Sequence, residues 1–413
     1  MSIYSSFYSA LSGLSANGSA MSVIGNNLAN LNTIGYKGSS ATFQDLFASA
    51  MGGSAIQGNG NPNQIGMGTS LGCVTQNFAS GSTQSTSSAT DMAIQGNGFF
   101  VLQTQSGGRA YSRAGNFTLD VNSNLVNPAG YEVLGWLRTG SPGTVDTTAT
   151  PTAINLSAYQ AIAATPTQNI AFTSNLDASS ATAAVVTNSI DIYDSLGNAH
   201  SLQFNYTKTG TNTWTISTSA MTGGTITATS ATGGAWSGTL TFNSDGTLAS
   251  STIPSLYVVW ANGSADQSIT YDPSNLAQTA SASVTSASTQ DGMASGTLDS
   301  YTVSQDGEII GAYTNGQNIA IAQVSLAMFT NVNGLQKSGN NCWTETIASG
   351  TANIAAANVG GRGYIEGSSL ELSNVDTATE LTQMIVTQQG YQANSRVITT
   401  ANTLLQEVLN LGR

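Results

Sequence analysis

Residues 3–31 read Ile3-Tyr4-Ser5-Ser6-Phe7-Tyr8-Ser9-Ala10-Leu11-Ser12-Gly13-Leu14-Ser15-Ala16-Asn17-Gly18-Ser19-Ala20-Met21-Ser22-Val23-Ile24-Gly25-Asn26-Asn27-Leu28-Ala29-Asn30-Leu31. Apolar side chains at Ile3, Phe7, Ala10, Leu14, Met21, Ile24, Leu28 and Leu31 occupy the a and d positions of successive heptads, Asn17 being the polar exception and Leu11 widening the stripe. The pattern predicts one long helix, about 43 Å if straight, that stops at Asn30-Leu31-Asn32-Thr33-Ile34-Gly35, where Asn and Gly tolerate a left-handed helix end.

The other end of the chain is built alike. Ser373-Asn374-Val375-Asp376 has the spacing of a capping box. Behind it come Leu381, Met384, Ile385, Tyr391, Val397, Ile398, Leu404, Leu405, Val408 and Leu409, with Met384, Tyr391, Ile398 and Leu405 in one heptad phase. Two terminal helices with apolar seams are expected to pair as a coiled coil across the whole length of the chain. Exposed helix faces normally carry Lys and Glu for solubility, and these carry almost none. Their outer faces are therefore expected to meet other chains rather than water.

Between the helices the periodicity changes to that of strands. Short runs rich in Val, Ile, Thr, Phe, Tyr and Trp alternate with turn dipeptides: Phe99–Leu102 before Gly107-Gly108, Phe117–Leu119 before Asn122-Ser123-Asn124, Ile190–Tyr193 before Leu196-Gly197-Asn198, Leu240–Phe242 before Asp245-Gly246. Ser/Thr/Gly tracts at 79–90, 139–152, 217–238 and 279–296 read as linkers or long loops. The fold expected is mainly β with long terminal helices, in a nested layout: 1–33 and 374–413 a helical polymerisation domain, 34–88 a connecting segment, 89–150 and 293–373 a discontinuous inner β domain, 151–292 an inserted outer β domain.

Composition removes whole classes of function. Only nine Lys and Arg stand against 21 Asp and Glu over 413 residues, a net charge of −12. No basic stripe is available to neutralise phosphates, so nucleic-acid binding is not expected, nor is attraction to anionic lipid. A single histidine, His200, excludes multi-His metal sites. Cys73 and Cys342 fit neither a redox motif nor a disulfide framework and are expected to be buried thiols. No apolar run is long enough to span a bilayer; the nearest, Ile319–Phe329, is broken by Gln323 and Ser325. The Ser-rich N-terminus has no Lys or Arg before Lys37 and does not read as a cleavable secretory signal. The expectation is a cytoplasmic protein, or one exported by a route that reads no such signal.

Three constellations invite a chemical reading. Asp191, Asp194, Ser195 and His200 place Asp, Ser and His within ten residues, yet a triad is defined by geometry; a hairpin turning at Asp194–Asn198, with Leu202, Phe204 and Tyr206 on one face of its return strand, accounts for the same residues. Asp120-Val121-Asn122-Ser123-Asn124 opens like a calcium loop but has Leu125 and Tyr131 where Gly and Glu are required. Gly66-Met67-Gly68-Thr69-Ser70-Leu71-Gly72 misses the phosphate-binding glycine spacing by one residue. No catalytic, cofactor or metal site is expected.

The two ends also carry a resemblance. Asn26-Asn27-Leu28-Ala29-Asn30-Leu31-Asn32-Thr33-Ile34-Gly35-Tyr36-Lys37 resembles the N-terminal signature of the bacterial flagellar rod and hook axial proteins. The stretch Glu371–Asn374, with Val375, Asp376, Glu380, Leu381, Met384, Ile385, Gln388, Tyr391, Asn394 and Ile398, resembles that family's other end. Ala93–Phe100 and Tyr111–Phe117 are similar to its shared β domain. The Tyr193–Asn198 block and Ser338–Trp343 look like the hook members, and a distal rod member would lack the central insertion.

The resemblance implies a non-enzymatic hook subunit at the cell exterior, self-assembling into a curved tube that acts as a universal joint between rod and filament. It implies that the terminal helices supply subunit contacts, through Ile3, Phe7, Leu11, Leu14, Met21, Ile24, Leu28, Leu31, Leu381, Met384, Ile385, Tyr391, Ile398, Leu405 and Leu409. It also implies as partners further copies of the chain, the distal rod protein, the hook cap, the hook–filament junction proteins and the flagellar type III export apparatus, which passes subunits unfolded. The alternatives are a hook-associated junction or distal rod protein and, from another class, a secreted β-rich adhesin or polysaccharide-acting enzyme.

Overall fold

The computed structural model describes residues 3–50, 64–139, 145–228 and 234–411. It is mainly β, with one α-helix near each end: α1 (Ile3–Ala29) and α2 (Thr377–Leu411). Two compact units are present. The first comprises Met1–Ser157, Tyr301–Gly311 and Ile319–Arg413; the second comprises Ala158–Ser300 and Ala312–Asn318.

α1 stops where the sequence places its end, whereas the start of α2 differs from the sequence expectation. α1 ends at Ala29, and Asn30–Gly35 form turns in which Gly35 takes φ +66°. A Cβ there would lie 2.6 Å from the Ala114 backbone nitrogen, so close approach as well as backbone angle requires glycine. α2 is capped by Asp376, whose Oδ1 accepts from Thr379 N at 2.8 Å. Ser373 lies outside the helix and accepts from Val375 N at 3.4 Å. The capping box thus gives way to a single Asp cap, because a carboxylate directly before the first turn also meets the positive end of the helix dipole.

In the first unit, strands run in the spatial order Asn318–Met328, Glu132–Leu137, Phe99–Gln103, Arg109–Ser112, Cys342–Thr344, Gln336–Gly339. One core cluster joins Phe99, Val101, Tyr111, Leu134, Ala327, Phe329, Leu335 and Trp343, with Tyr111 and Phe329 edge to face at 4.8 Å. The Ile319–Phe329 run is largely this strand. Its two polar interruptions are buried and bonded: Ser325 Oγ donates to Leu134 O at 2.7 Å and Gln323 Nε2 to Asp306 O at 2.8 Å. Residues 34–88 do more than connect. Ser39–Asp45 pairs antiparallel with Thr69–Gln76, Ala48–Ala50 with Gln64–Gly66, and Thr83–Ser85 with Ser369–Glu371.

Among the described residues, two sheets lie wholly within the second unit. One orders Val185–Tyr193, Ala199–Gly210, Thr213–Thr218, Ser237–Phe242 and Leu248–Thr252; the other is built on Gly224–Ala228, Leu256–Trp260, Gln267–Asp272, Asn169–Asp177, Leu276–Thr279 and Val284–Gln290. Alternate residues Leu202, Phe204 and Tyr206 point into a core with Phe172, Trp214, Trp236 and Ile269. Tyr206 and Tyr271 share a hydroxyl contact of 2.8 Å within it. Burial raises both phenols, Tyr206 to about 12.

Several Ser/Thr tracts expected as loops are strands. Val284–Gln290 has almost every side chain exposed, yet pairs with Asn169–Asp177 along most of its length. Backbone hydrogen bonds rather than apolar burial seat it, a signal that side-chain hydropathy does not carry. Among the described residues no helix is long and apolar enough to cross a membrane.

Candidate subunit-contact surface

The two terminal helices pack against each other within the first unit. Gly13 meets Asn394, Asn17 meets Gly390, and Asn27 Nδ2 donates to Glu380 Oε1 at 3.0 Å. Positions on α2 fall by as much as those on α1 rise, so the helices run antiparallel. The buried positions of α1 are Ala10, Gly13, Ala16, Ala20, Ile24 and Asn27, recurring every three or four residues. The facing line on α2 is Glu380, Met384, Thr387, Gly390, Asn394, Ile398, Ala401 and Leu405. Small residues make this approach possible. A Cβ on Gly13 would stand 2.7 Å from Asn394 Nδ2, and one on Gly390 would stand 3.2 Å from Asn17 Oδ1.

The heptad stripe of the sequence therefore divides. Of its large members only Ile24 is buried; Phe7, Leu14, Met21, Leu28, Leu31, Met384, Ile398 and Leu405 are half-buried, and Leu11, Leu381, Ile385, Tyr391 and Leu409 are exposed. The Ile3 side chain lies outside the described residues. The sequence reading missed Tyr4 and Tyr8, each 64% exposed, and Val386, also exposed. Exposed Val397, Leu404 and Val408 extend the same surface. Aromatic and branched side chains in water on a helix with no charged residue are an apolar patch of the kind that marks an interaction site.

The signature residues serve another purpose: they fix where the helices leave the β structure. Asn27 is buried; its Oδ1 accepts from Ser39 N at 2.9 Å and from Tyr36 Oη at 3.3 Å, and its Nδ2 donates to Ser39 O at 2.7 Å. Asn374 Oδ1 accepts from Gly38 N at 2.9 Å while its Nδ2 donates to the Asn77 and Ala79 carbonyls. Lys37, Arg113 and Glu371 form a buried cluster, with Lys37 Nζ 2.6 Å from Glu371 Oε1 and Arg113 Nη1 3.4 Å from Oε2. Burial pushes the Lys37 ammonium and the Arg113 guanidinium down, against the pull of Glu371. Gly35, Tyr36 and Lys37 are buried, whereas Asn26, Ala29, Asn32 and Asp376 are exposed and Asn30, Thr33, Ser373 and Val375 half-buried. Sequence pattern singled these residues out, but the pairing of Lys37 with Glu371 is invisible in it.

The chemical candidates are structural. His200 Nε2 lies 3.1 Å from Asp194 Oδ2, but Ser195 Oγ accepts from Ala265 N, and Asp194 is occupied by Leu196 N, Asn198 N, Asn198 Nδ2 and Asn262 Nδ2. This is the hairpin turn, with Val185–Tyr193 and Ala199–Gly210 as its arms. Asp120 Oδ1 accepts from Asn122 N and Asn124 N in a tight turn. Cys73 corrects an expectation: it is exposed, on the outer ribbon strand Thr69–Gln76 with its Sγ 3.0 Å from Thr42 Oγ1, because a two-stranded ribbon has no core in which to bury it. Cys342 is buried, and burial pushes its thiol up to about 11.

Family models match as follows: a flagella basal body rod protein over residues 7–37, the flagellar hook protein FlgE/F/G D1 domain over 93–174, the flagellar basal body protein FlaE D2 domain over 155–293, and the flagellar basal body rod FlgEFG protein C-terminal region over 366–411. The chain is 35% identical to the flagellar hook protein FlgE of Escherichia coli K12, over 98% of this chain and 99% of that one. It is 34% identical to the FlgE of Treponema pallidum, over 99% of each. The crystal structure of Helicobacter pylori flagellar hook protein FlgE2 shares the fold, with a TM-score of 0.55 at 14% identity over 70% of this chain and 100% of that one. With full-length identity above 30% and matching models at both ends and in the middle, the chain belongs to the flagellar hook protein family.

Proposed function

We propose that this chain is the structural subunit of the bacterial flagellar hook, a non-enzymatic protein that polymerises into a curved tube and transmits torque while bending. The observation that carries the reading is the exposed apolar surface of α1 and α2, which a dissolved monomer would leave in water. α1 and α2 act as an intrachain coiled coil, and their outward residues, Leu11, Leu381, Ile385, Tyr391 and Leu409 with Tyr4, Tyr8 and Val386, meet neighbouring copies. Identical patches repeated by a rotation that does not close generate an open filament.

The β regions serve as outer layers, 89–150 with 293–373 and the inserted 151–292, whose uncharged polar surfaces can slide. Buried ion pairs across these sliding β surfaces would fix one geometry. Its place lies between rod and filament, beyond the distal rod protein, beneath the hook cap during growth and the junction proteins afterwards, after unfolded passage through the type III apparatus. Deleting residues 1–25, which spares Asn27, should abolish tube formation by the purified chain and leave the β circular-dichroism signal and its thermal transition in place. Tubes formed by the truncated chain would overturn the reading.

A further inference from the structure

The ribbon that leaves Lys37 carries an apolar corner where Ser39–Asp45 passes into Ala48–Ala50. Phe47 is 88% exposed, and Phe43, Leu46, Met67 and Val74 on the same ribbon are also exposed. A two-stranded ribbon is marginally stable alone, and this one leans on α1 through Thr69 N donating to Ser12 Oγ at 3.1 Å. Its base is fixed at Asn27 and its corner is closed by Leu46 N donating to Gly68 O. The corner is thus carried fifteen helical residues, about 22 Å, back along α1 from the signature junction.

At that junction the first unit has an open pocket of about 230 Å³, lined by Phe78, Phe99, Arg113, Met328, Phe329 and Val332. Its aromatic walls are edge to face, Phe78 with Phe99 at 5.6 Å and Phe99 with Phe329 at 5.9 Å. Arg113 is 2% exposed, and its Nε has no hydrogen-bond partner. It shares one carboxylate, Glu371, with Lys37, so the cluster behind the pocket holds two cations and one anion.

We propose that this pocket receives the Asp45-Leu46-Phe47 corner of a second copy of the chain. The Phe47 ring packs on the wall formed by Phe78, Phe99 and Phe329, and the Asp45 carboxylate, which has no ion pair among the described residues, approaches the surplus positive charge at Arg113. The corner stands too far along α1 to fill the pocket of its own chain, so the contact joins copies. It covers an exposed aromatic and sets a carboxylate beside a buried cluster with one positive charge in excess.

The inference rests on the polymer reading, and one experiment separates the two. In a full-length Cys73→Ser background, a Leu46→Cys chain, which keeps Asp45 and Phe47, and an Asn97→Cys chain, the latter at the exposed pocket rim, are mixed, assembled and oxidised. A disulfide-linked heterodimer is expected from the mixture, with neither variant alone giving more than a trace. Phe47→Ala should raise the critical concentration for assembly about tenfold or more, while Val74→Ala leaves it unchanged. Tubes that form without the heterodimer overturn the contact alone. Failure of the unsubstituted chain to form tubes overturns the polymer reading and the contact with it.

Discussion

Lys37 Nζ lies 2.6 Å from Glu371 Oε1, with both side chains withdrawn from water and 334 positions apart in the chain. Each desolvated charge is tolerable only while the other is present. Gly81 N and Arg113 also lean on this carboxylate, and Gly35 N donates to the Glu371 carbonyl at 2.7 Å. Glu371 is therefore the point at which the exits of both helices are tied to the sheet. Glu371→Gln should leave two buried cations unpaired and cost about 3–5 kcal/mol, measured by urea unfolding. A loss below about 1 kcal/mol would remove the cluster from any account of the junction.

Two glycines of α1 should respond in opposite directions. Gly18 faces open space, with nothing within 4 Å of where an alanine methyl would lie, so Gly18→Ala should stabilise the helix by about 0.5–1 kcal/mol. Gly13→Val must push Asn394 aside and separate the pair. Its helical signal at 222 nm should melt earlier than that of the parent chain. Equal melting of both variants would deny the close approach.

Thiol reactivity separates the cysteines. Cys73 is exposed, whereas Cys342 is buried with its thiol raised to about 11. At pH 8 a maleimide should label one thiol per monomer, and Cys73→Ser should abolish that labelling. Rapid labelling of two thiols in the folded chain would contradict the burial of Cys342.

Asp194 links the second unit to acid stability. Burial opposes its charge, but hydrogen bonds from Asn198, Asn262 and His200 outweigh that penalty and hold the carboxyl below the usual range. A carboxyl lowered on folding contributes stability that is whole above its unfolded value, near pH ~4, and is lost as pH falls through the folded one. Thermal unfolding should show the second unit weakening progressively below about pH 4. Asp194→Asn should lower its stability at pH 7 by about 1–3 kcal/mol and flatten that acid slope; an unchanged slope would shift the effect to other acids.

Salt tests the use of the few cations. Lys37, Arg113, Arg138, Lys208 and Arg362 are buried. Lys208 and Arg362 are spent on carbonyls, such as those of Ala178 and Leu326. Apart from the proposed approach of Asp45 to the buried Arg113, which salt screens little, few remain for ion pairs between copies, so tubes should persist when sodium chloride is raised from about 0.1 to about 1 M, read by electron microscopy and sedimentation. Dissolution by salt alone would show that ion pairs hold the polymer.

The helices, the continuous apolar strand run of residues 99–102, the alternation of 200–206, and the turn at Asp194 were legible in the residues because each depends on neighbours a few positions away. Periodicity also led to the expectation that the termini are contact surfaces, and the near absence of charge to the expectation that nucleic acid is not bound. What local pattern could not decide was which side of each helix is covered. The heptads pointed to large apolar residues, but Gly13, Gly390 and two Asn side chains set the approach, leaving Leu11, Ile385 and Tyr391 outside. The strand at Val284–Gln290 and the Lys37–Glu371–Arg113 cluster were equally hidden, since both exist only through partners more than a hundred positions away. Local order along the chain specifies the helices and many of the strands; the fold sets their register, because backbone pairing and buried charge depend on distance in space.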